Sequence, residues 1–453
     1  MKTHTRLPDG RYVVRLPFKQ GPSVEIGASL PIARSLYDRT EKKLQNRPDL
    51  RVQYNEFFRE YEALGHMRLV EDQKETAINP VYIPHHAVLR ESSSTTKLRV
   101  VFNASCKMRD GTSLNDYLLT GPKLQADPAA IILRWRQWRY VYMANITKMF
   151  RQILVDPVDT DFQRILWRPN ANSPVKSFRL LTVTYGLASA PYLALRVLQQ
   201  LAKDDGSAFP KAVSILENNL YVDDMLFGED DVRGLREARN QLIALLKRGG
   251  FQLRKWSANA VELLEDIPVS HQESIDHFLA KDDALKVLGL SWLAKEDSFH
   301  FVISPTPLES LTKRSILSTV AKLYDSLGWA APTIITAKIL LQELWLKGNW
   351  DDPVPPDLTK RWIAYYSDLP NLSSACIPRW TVRSQGNLGV EIHGFADASN
   401  RAYAAVVYIR VLHALDNFQV SILATKTKVA PIKTVSDSNL TRSCFFVGSS
   451  NGL

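Results

Sequence analysis

Two adjacent aspartates inside an apolar run limit what this chain can become more than any other feature. Tyr221-Val222-Asp223-Asp224 lies between Leu220 and Met225-Leu226-Phe227, a pattern that reads as a hairpin with both acids at its tip. Burying neighbouring carboxylates is costly unless a cation neutralises them. Mg²⁺ suits such hard oxygen ligands and keeps room in its shell for water and phosphate oxygens. An ordinary surface turn, where aspartate is common, fits the tetrapeptide equally well. The surroundings have to decide.

The chain has 453 residues, 45% of them hydrophobic and 23% charged, enough for two or three domains of ordinary soluble type. Lys and Arg number 57 against 47 Asp and Glu, a net +10. That excess favours polyanionic partners such as nucleic acid or an anionic membrane surface, although a solvated basic surface gives the same count. Cys106, Cys376 and Cys444 have no CxxC spacing and form no disulfide framework, as expected in a reducing compartment. The start of the chain lacks the apolar core of a signal peptide. The most apolar stretch, residues 333–346, carries Lys338 and Glu343, so no membrane span is expected. The expectation is an intracellular protein, cytoplasmic or nuclear.

Periodicity predicts a strand over residues 11–16 and helices over 32–45 and 52–64. Residues 81–89 and 98–102 read as a hairpin around a polar turn at 91–96. Residues 138–144 read as a buried strand running into a helix near Lys148, and 180–185 as another strand. Beyond Gly186, Ser189 is placed to cap a helix with Pro191 in its first turn. Leu235, Ala238, Leu242, Leu245 and Leu246 mark one face of an amphipathic helix that Gly249-Gly250 closes. From 313 to 347 two helices flank a break at 328–332, and the proline-rich run 351–356 reads as a linker. Strands are predicted over 390–396, 402–412 and 418–425. Residues 436–453 lack periodicity and are expected to be unstructured. There is no internal repeat.

Several segments now bear on the aspartate pair. Ile83-Pro84-His85-His86-Ala87-Val88-Leu89 leads into Lys97-Leu98-Arg99-Val100-Val101-Phe102-Asn103-Ala104-Ser105. Ala144-Asn145-Ile146-Thr147-Lys148-Met149-Phe150-Arg151-Gln152-Ile153-Leu154 follows, then Tyr185-Gly186-Leu187-Ala188-Ser189-Ala190-Pro191. Behind the hairpin come Gly249-Gly250-Phe251-Gln252-Leu253-Arg254-Lys255-Trp256 and Val287-Leu288-Gly289-Leu290. In this order the segments, with the Tyr-Val-Asp-Asp hairpin, resemble the reverse transcriptases, in particular the BEL/Pao-type LTR retrotransposon branch. The resemblance runs over roughly residues 50 to 435.

It implies an α+β right-hand polymerase with fingers, palm and thumb, a helical connection and a truncated ribonuclease H-like start. The implied divisions are 1–50, a polyprotein linker region; 51–300, fingers and palm; 301–385, thumb and connection; 386–435, partial ribonuclease H; and 436–453, an aberrant tail. The implied activity is RNA-directed DNA polymerisation with two Mg²⁺ ions holding the attacking and leaving oxygens. The implied partners are an RNA/DNA primer–template and a dNTP. Asp223 and Asp224 match the family's metal-binding pair, but Asn145 stands at the first catalytic aspartate. An amide carries no formal charge, so the reaction is expected to be crippled. Asn103 likewise stands where the family has aspartate, and two such replacements suggest decay of an element copy.

The resemblance also implies that Arg99 grips the triphosphate, a task suited to a planar guanidinium. Phe150 is implied as the gate against a ribose 2′-hydroxyl, Tyr185 and Gly186 as nucleotide and template contacts, and Lys255 as a neighbour of the leaving pyrophosphate. Taken singly, these residues also fit a solvated arginine, a core phenylalanine and a surface lysine. His85-His86 point to opposite faces of a strand and make no zinc set. Glu391-Ile392-His393-Gly394-Phe395-Ala396-Asp397-Ala398-Ser399 resembles the start of a retroelement ribonuclease H, with Asp397 as its first acidic ligand. One carboxylate cannot hold two ions, so ribonuclease activity is expected to be absent. With no protease segment before it and no integrase after it, the chain reads as a Pol polyprotein fragment. The alternative is a nucleic-acid-binding module without chemistry.

Overall fold

Strand alternation carries the aspartate pair to the end of a four-stranded sheet. Leu220–Tyr221 and Asp224–Glu229 pair antiparallel, with Leu220 opposite Met225 and Tyr221 opposite Asp224. Asp224–Glu229 then pairs antiparallel with Tyr140–Ile146, and Leu253–Ala258 completes the sheet on the far side of that strand. Successive side chains face opposite ways. Leu226, Val141 and Met143 therefore meet one core with Ile131, Ile132 and Trp135 of the helix Pro128–Trp135. On the other face Phe227, Tyr142 and Trp256 form an aromatic cluster, Tyr142 lying 5.6 Å from Phe227 and 5.3 Å from Trp256. Both faces of the sheet are buried, which is why its strands read as continuous apolar runs.

The computed structural model describes residues 4–20, 26–71, 80–89, 98–273, 285–287, 290–303, 310–345 and 347–432. The chain divides into two compact units. The first comprises Met1–Gln125, Ile146–Glu217 and Asn240–Leu253, the second Ala126–Asn145, Asn218–Arg239 and Arg254–Leu453.

In the first unit, helices Leu30–Gln45 and Pro48–Ala63 accompany the hairpin His85–Leu89 with Leu98–Phe102. The turn expected at 91–96 lies outside the described residues. His85 is buried, with Nδ1 2.6 Å from the Tyr54 hydroxyl and Nε2 2.9 Å from the Leu166 carbonyl oxygen. His86 is exposed, as alternation requires. The strand expected at 180–185 is instead Lys176–Leu180. Beyond it Thr182 and Tyr185 make only isolated bridges, because the chain is already turning toward Gly186. Ser189 does stand at the head of the helix Ala190–Asp205, but it is helical itself and its side chain accepts no capping hydrogen bond.

The second unit contains the sheet just described and a core of Trp135, Trp292, Phe299 and Trp329. Helices Lys313–Ala321, Ala331–Trp345 and Pro356–Asp368 share another core built on Ile316, Leu340, Leu344 and Trp362. The run 351–356 is thus more than a linker: Val354 is buried in that core and Pro356 opens a helix, where its missing N–H costs nothing. The break between the first two of these helices is longer than the sequence suggested. In it the Asp325 carboxylate accepts hydrogen bonds from the Trp329 and Ala330 N–H groups at 2.9 and 2.7 Å. Strands Gly389–Ala398, Ala402–Ala414 and Asn417–Val429 form a three-stranded antiparallel meander. The terminal residues 436–453 and the Leu288-Gly289 pair lie outside the described residues. No described helix is long and apolar enough to cross a membrane.

Two buried arginines tie the second unit together. Arg379 donates to Asp297 at 2.5 and 2.7 Å and to the carbonyls of Trp135, Trp138 and Arg139. Arg136 donates to the carbonyls of Pro378, Arg379 and Ile422. Burial, aided by the charge of Arg379, lowers the Arg136 pKa to about 9. Removing one partner of a buried pair leaves the other charge uncompensated, typically at about 3–5 kcal/mol. Arg379→Ala is expected to destabilise the second unit by that amount in urea unfolding. Arg379→Lys should recover only part of the loss, since an ammonium cannot reproduce the planar fork.

Candidate active site

Asn145 and Asp224 are direct cross-strand partners, and the Asn145 Nδ2 donates to Asp224 Oδ1 at 3.1 Å. Asp223 occupies the two-residue turn with Val222, between Tyr221 and Asp224. Val222 has φ 55, the left-handed region where a branched Cβ is strained and where glycine is the usual occupant of this turn. The acids therefore sit on a hairpin whose turn stores strain, held in place by the buried strands on either side. Lys255 lies on the other neighbour of the Tyr140–Ile146 strand and is also left-handed, at φ 56.

Burial raises the Asp224 pKa to about 6. The Asn145 hydrogen bond opposes the shift, Asp223 adds to it, Lys255 opposes it and Glu273 adds to it. The group is a carboxylate in a poorly solvated place, with an amide as its cross-strand partner. That arrangement tests the two-ion reading directly. Two divalent cations carry four positive charges; Asp223 and Asp224 supply two negative ones. Asn145 offers Asp224 a hydrogen-bond donor where a third carboxylate would offer charge. The donor set does not fit a pair of divalent ions. Among the described residues no group of three His, Cys, Asp or Glu side chains is disposed to hold a metal ion.

Arg99, Phe150, Tyr185 and Gly186 belong to the first unit. The Arg99 guanidinium lies 5.9 Å from the centre of the Tyr185 ring, and the Tyr185 hydroxyl donates to the Val100 carbonyl at 2.9 Å. Gly186 has φ 105, and a Cβ there would collide with the Phe102 carbonyl, so only glycine fits. Asn115 fastens the same turn, donating to the Gly186 carbonyl at 2.9 Å and accepting from the Ala188 N–H at 2.7 Å. Phe150 is half-buried on the short helix Met149–Gln152. Asp397 is exposed near the end of Gly389–Ala398 and accepts from the Ala398 N–H at 2.9 Å.

Sequence reading missed the groups that hold the Phe150 helix. Arg151 donates to Glu60 at 2.9 Å and to His66 Nδ1 at 2.9 Å, and its guanidinium lies 4.0 Å from the centre of the Tyr61 ring. Lys148 pairs with the same Glu60. Burial and the nearby Arg151 charge hold the His66 pKa near 4, so it stays neutral and accepts. Nothing in the spacing of Glu60, Tyr61 and His66 from Arg151 could have announced this cluster. Glu273, whose charge reaches Asp224, was equally invisible.

Residues 312–441 match the family of the Pao retrotransposon-like RNaseH-like domain. No curated protein matches the chain. Among solved structures, a foamy viral protease-reverse transcriptase in complex with double-stranded DNA aligns with a TM-score of 0.54 at 13% identity. The alignment covers 86% of this chain but only 57% of that one. The mixed helix and sheet fold thus resembles that of a retroviral reverse transcriptase, and the C-terminal portion is similar to a retrotransposon ribonuclease H-like domain.

A raised carboxylate pKa has a defined effect on stability. The folded protein holds the Asp224 proton up to about pH 6, whereas the unfolded chain releases it near pH 4. Folding is therefore penalised fully above about pH 6, and the penalty is relieved as pH falls toward 4. Asp224→Asn should raise the melting temperature at pH 8 in EDTA and leave it nearly unchanged at pH 4. Equal shifts at both pH values would contradict the burial account.

Proposed function

We propose that this chain is a Pol fragment of a BEL/Pao-type LTR retrotransposon, built on a fingers, palm and thumb plan and impaired as an RNA-directed DNA polymerase. The observation that carries the reading is the register itself: Asn145 lies directly opposite Asp224 and within hydrogen-bond distance of it. In the family a third carboxylate at that position completes the charge that two Mg²⁺ ions need to hold the attacking and leaving oxygens. The residues present do not supply that charge. The likeness to a polymerase fold and the basic charge of the chain support an RNA/DNA primer–template as partner, with a dNTP as the ancestral substrate.

Asn145 also favours a second reading, in which the chain binds nucleic acid without acting on it. On this reading Asp397 is the remnant of a ribonuclease H ligand set, and no ribonuclease activity is expected.

The test is primer extension on an RNA template by the wild type and by Asn145→Asp, in Mg²⁺ and in Mn²⁺. Loss of one charge-stabilising group at a reacting centre costs about 10²–10³ in rate. Asn145→Asp is expected to extend primers at least that much faster in Mg²⁺, with Mn²⁺ narrowing the gap. Wild-type extension equal to that of Asn145→Asp would remove the role given to Asn145. Inactivity of both, with salt-sensitive duplex binding intact, would favour the binding module.

A further inference from the structure

The first unit contains a cleft of about 420 Å³ between the C-terminal half of the helix Leu30–Gln45 and the start of the strand His85–Leu89. Leu36 and Pro84 contribute apolar lining, and Arg39, Lys42, Lys43 and His86 contribute polar lining. Leu36, Arg39 and Lys43 follow one another at helical spacing and so share a stripe of the helix surface. With a rise of about 1.5 Å per residue, Arg39 and Lys43 stand about 6 Å apart along the axis.

Basic residues in a last helical turn also offset the helix dipole, which would account for Lys42 and Lys43 but not for Arg39, one turn earlier, or for the cleft. The acids of the same helix are committed elsewhere, Asp38 to Arg34 at 3.3 Å and Glu41 to Arg168. Arg39, Lys42 and Lys43 have no acidic partner among the described residues. His85, which also lines the cleft, is held neutral by burial with a pKa of about 4 and adds no charge.

Two further polar side chains line the cleft: Thr40, whose hydroxyl donates to the Leu36 carbonyl at 3.0 Å, and Asn103. The Asn103 backbone is fastened, the N–H donating to the Pro84 carbonyl at 2.8 Å and the carbonyl accepting from Cys106, while its side chain is exposed and makes no hydrogen bond within the described residues. A carboxylate at this position would sit among the three cations and cancel part of their field. An amide leaves the field intact and can still donate to an oxygen.

We infer that this cleft binds the phosphodiester backbone of a single nucleic-acid strand, its phosphates on Arg39, Lys42 and Lys43 and its sugars and bases against Leu36 and Pro84. A single strand fits because the lining combines three cations with the apolar side chains of Leu36 and Pro84, and unpaired bases can meet apolar groups while their phosphates meet the cations. The inference rests on the nucleic-acid reading proposed above and places a contact wholly within the first unit.

Fluorescence anisotropy of labelled oligo-dT against the full chain tests it, with a primer–template duplex measured in parallel. Arg39→Ala/Lys42→Ala/Lys43→Ala is expected to weaken oligo-dT binding at least about tenfold at low salt. It should also lower the magnitude of the log–log salt slope by about 2, at about 0.7 per lost contact on a single strand. Asn103→Asp, an exposed and nearly isosteric change, should weaken oligo-dT binding about threefold, while Lys360→Glu on a helix of the second unit should not. Unchanged oligo-dT binding by both cleft variants would overturn the cleft site and leave the polymerase-derived reading standing. A larger loss for duplex than for oligo-dT would overturn the single-strand assignment. A wild type that binds neither probe would overturn this site and the nucleic-acid reading together.

Discussion

The pairing of Asn145 with Asp224 depends on a register that the apolar core sets. Leu226, Met143 and Val141 have to face the helix Pro128–Trp135, and Phe227 and Tyr142 have to face Trp256. A slip of one residue would exchange the two faces and bury the wrong set on each. Because both faces are buried, that error is penalised twice. The position of the Asp224 carboxyl is therefore a consequence of packing several residues away. The turn adapts to it, with Val222 taking a backbone conformation that its side chain resists.

A sheet end held so firmly determines the electrostatics as well. Asp224 cannot move out to solvent without disturbing the strand, so burial raises its pKa, and the Asn145 amide offsets only part of the shift. A third acid here would increase the repulsion in the absence of cations and the attraction in their presence. Asparagine reduces both. A site with asparagine here is thus easier to fold and poorer at gathering positive charge than one with a third acid.

The second unit depends on a different device. Arg136 and Arg379 are deeply buried and spend most of their hydrogen bonds on backbone carbonyls, with Asp297 as the one carboxylate partner. They join the end of the Pro128–Trp135 helix to the strand Cys376–Pro378 and to the meander strand that carries Ile422. Segments more than 200 residues apart in the chain meet there. The match to a retrotransposon ribonuclease H-like domain begins at residue 312 and so includes the helices Lys313–Ala321, Ala331–Trp345 and Pro356–Asp368.

The sequence alone determined most of the elements and the residue types at the candidate site. Apolar runs marked the hairpin and the central strand, helical periodicity found the amphipathic helix now seen at Val232–Arg248, and the ordered motifs indicated the polymerase-like fold. Residue identity alone made Asn145 neutral. Tertiary structure decided what meets what. Glu60 reaching Arg151, Asn115 fastening Gly186, Glu273 acting on Asp224 and Arg379 under the Trp135 helix are contacts between distant segments. Local spacing carries no trace of them, because side chains meet across elements whose packing is set by cores formed elsewhere. The helix Pro356–Asp368 escaped notice for a related reason: a proline run looks like a linker until burial of Val354 and Trp362 shows which residues it delivers to a core.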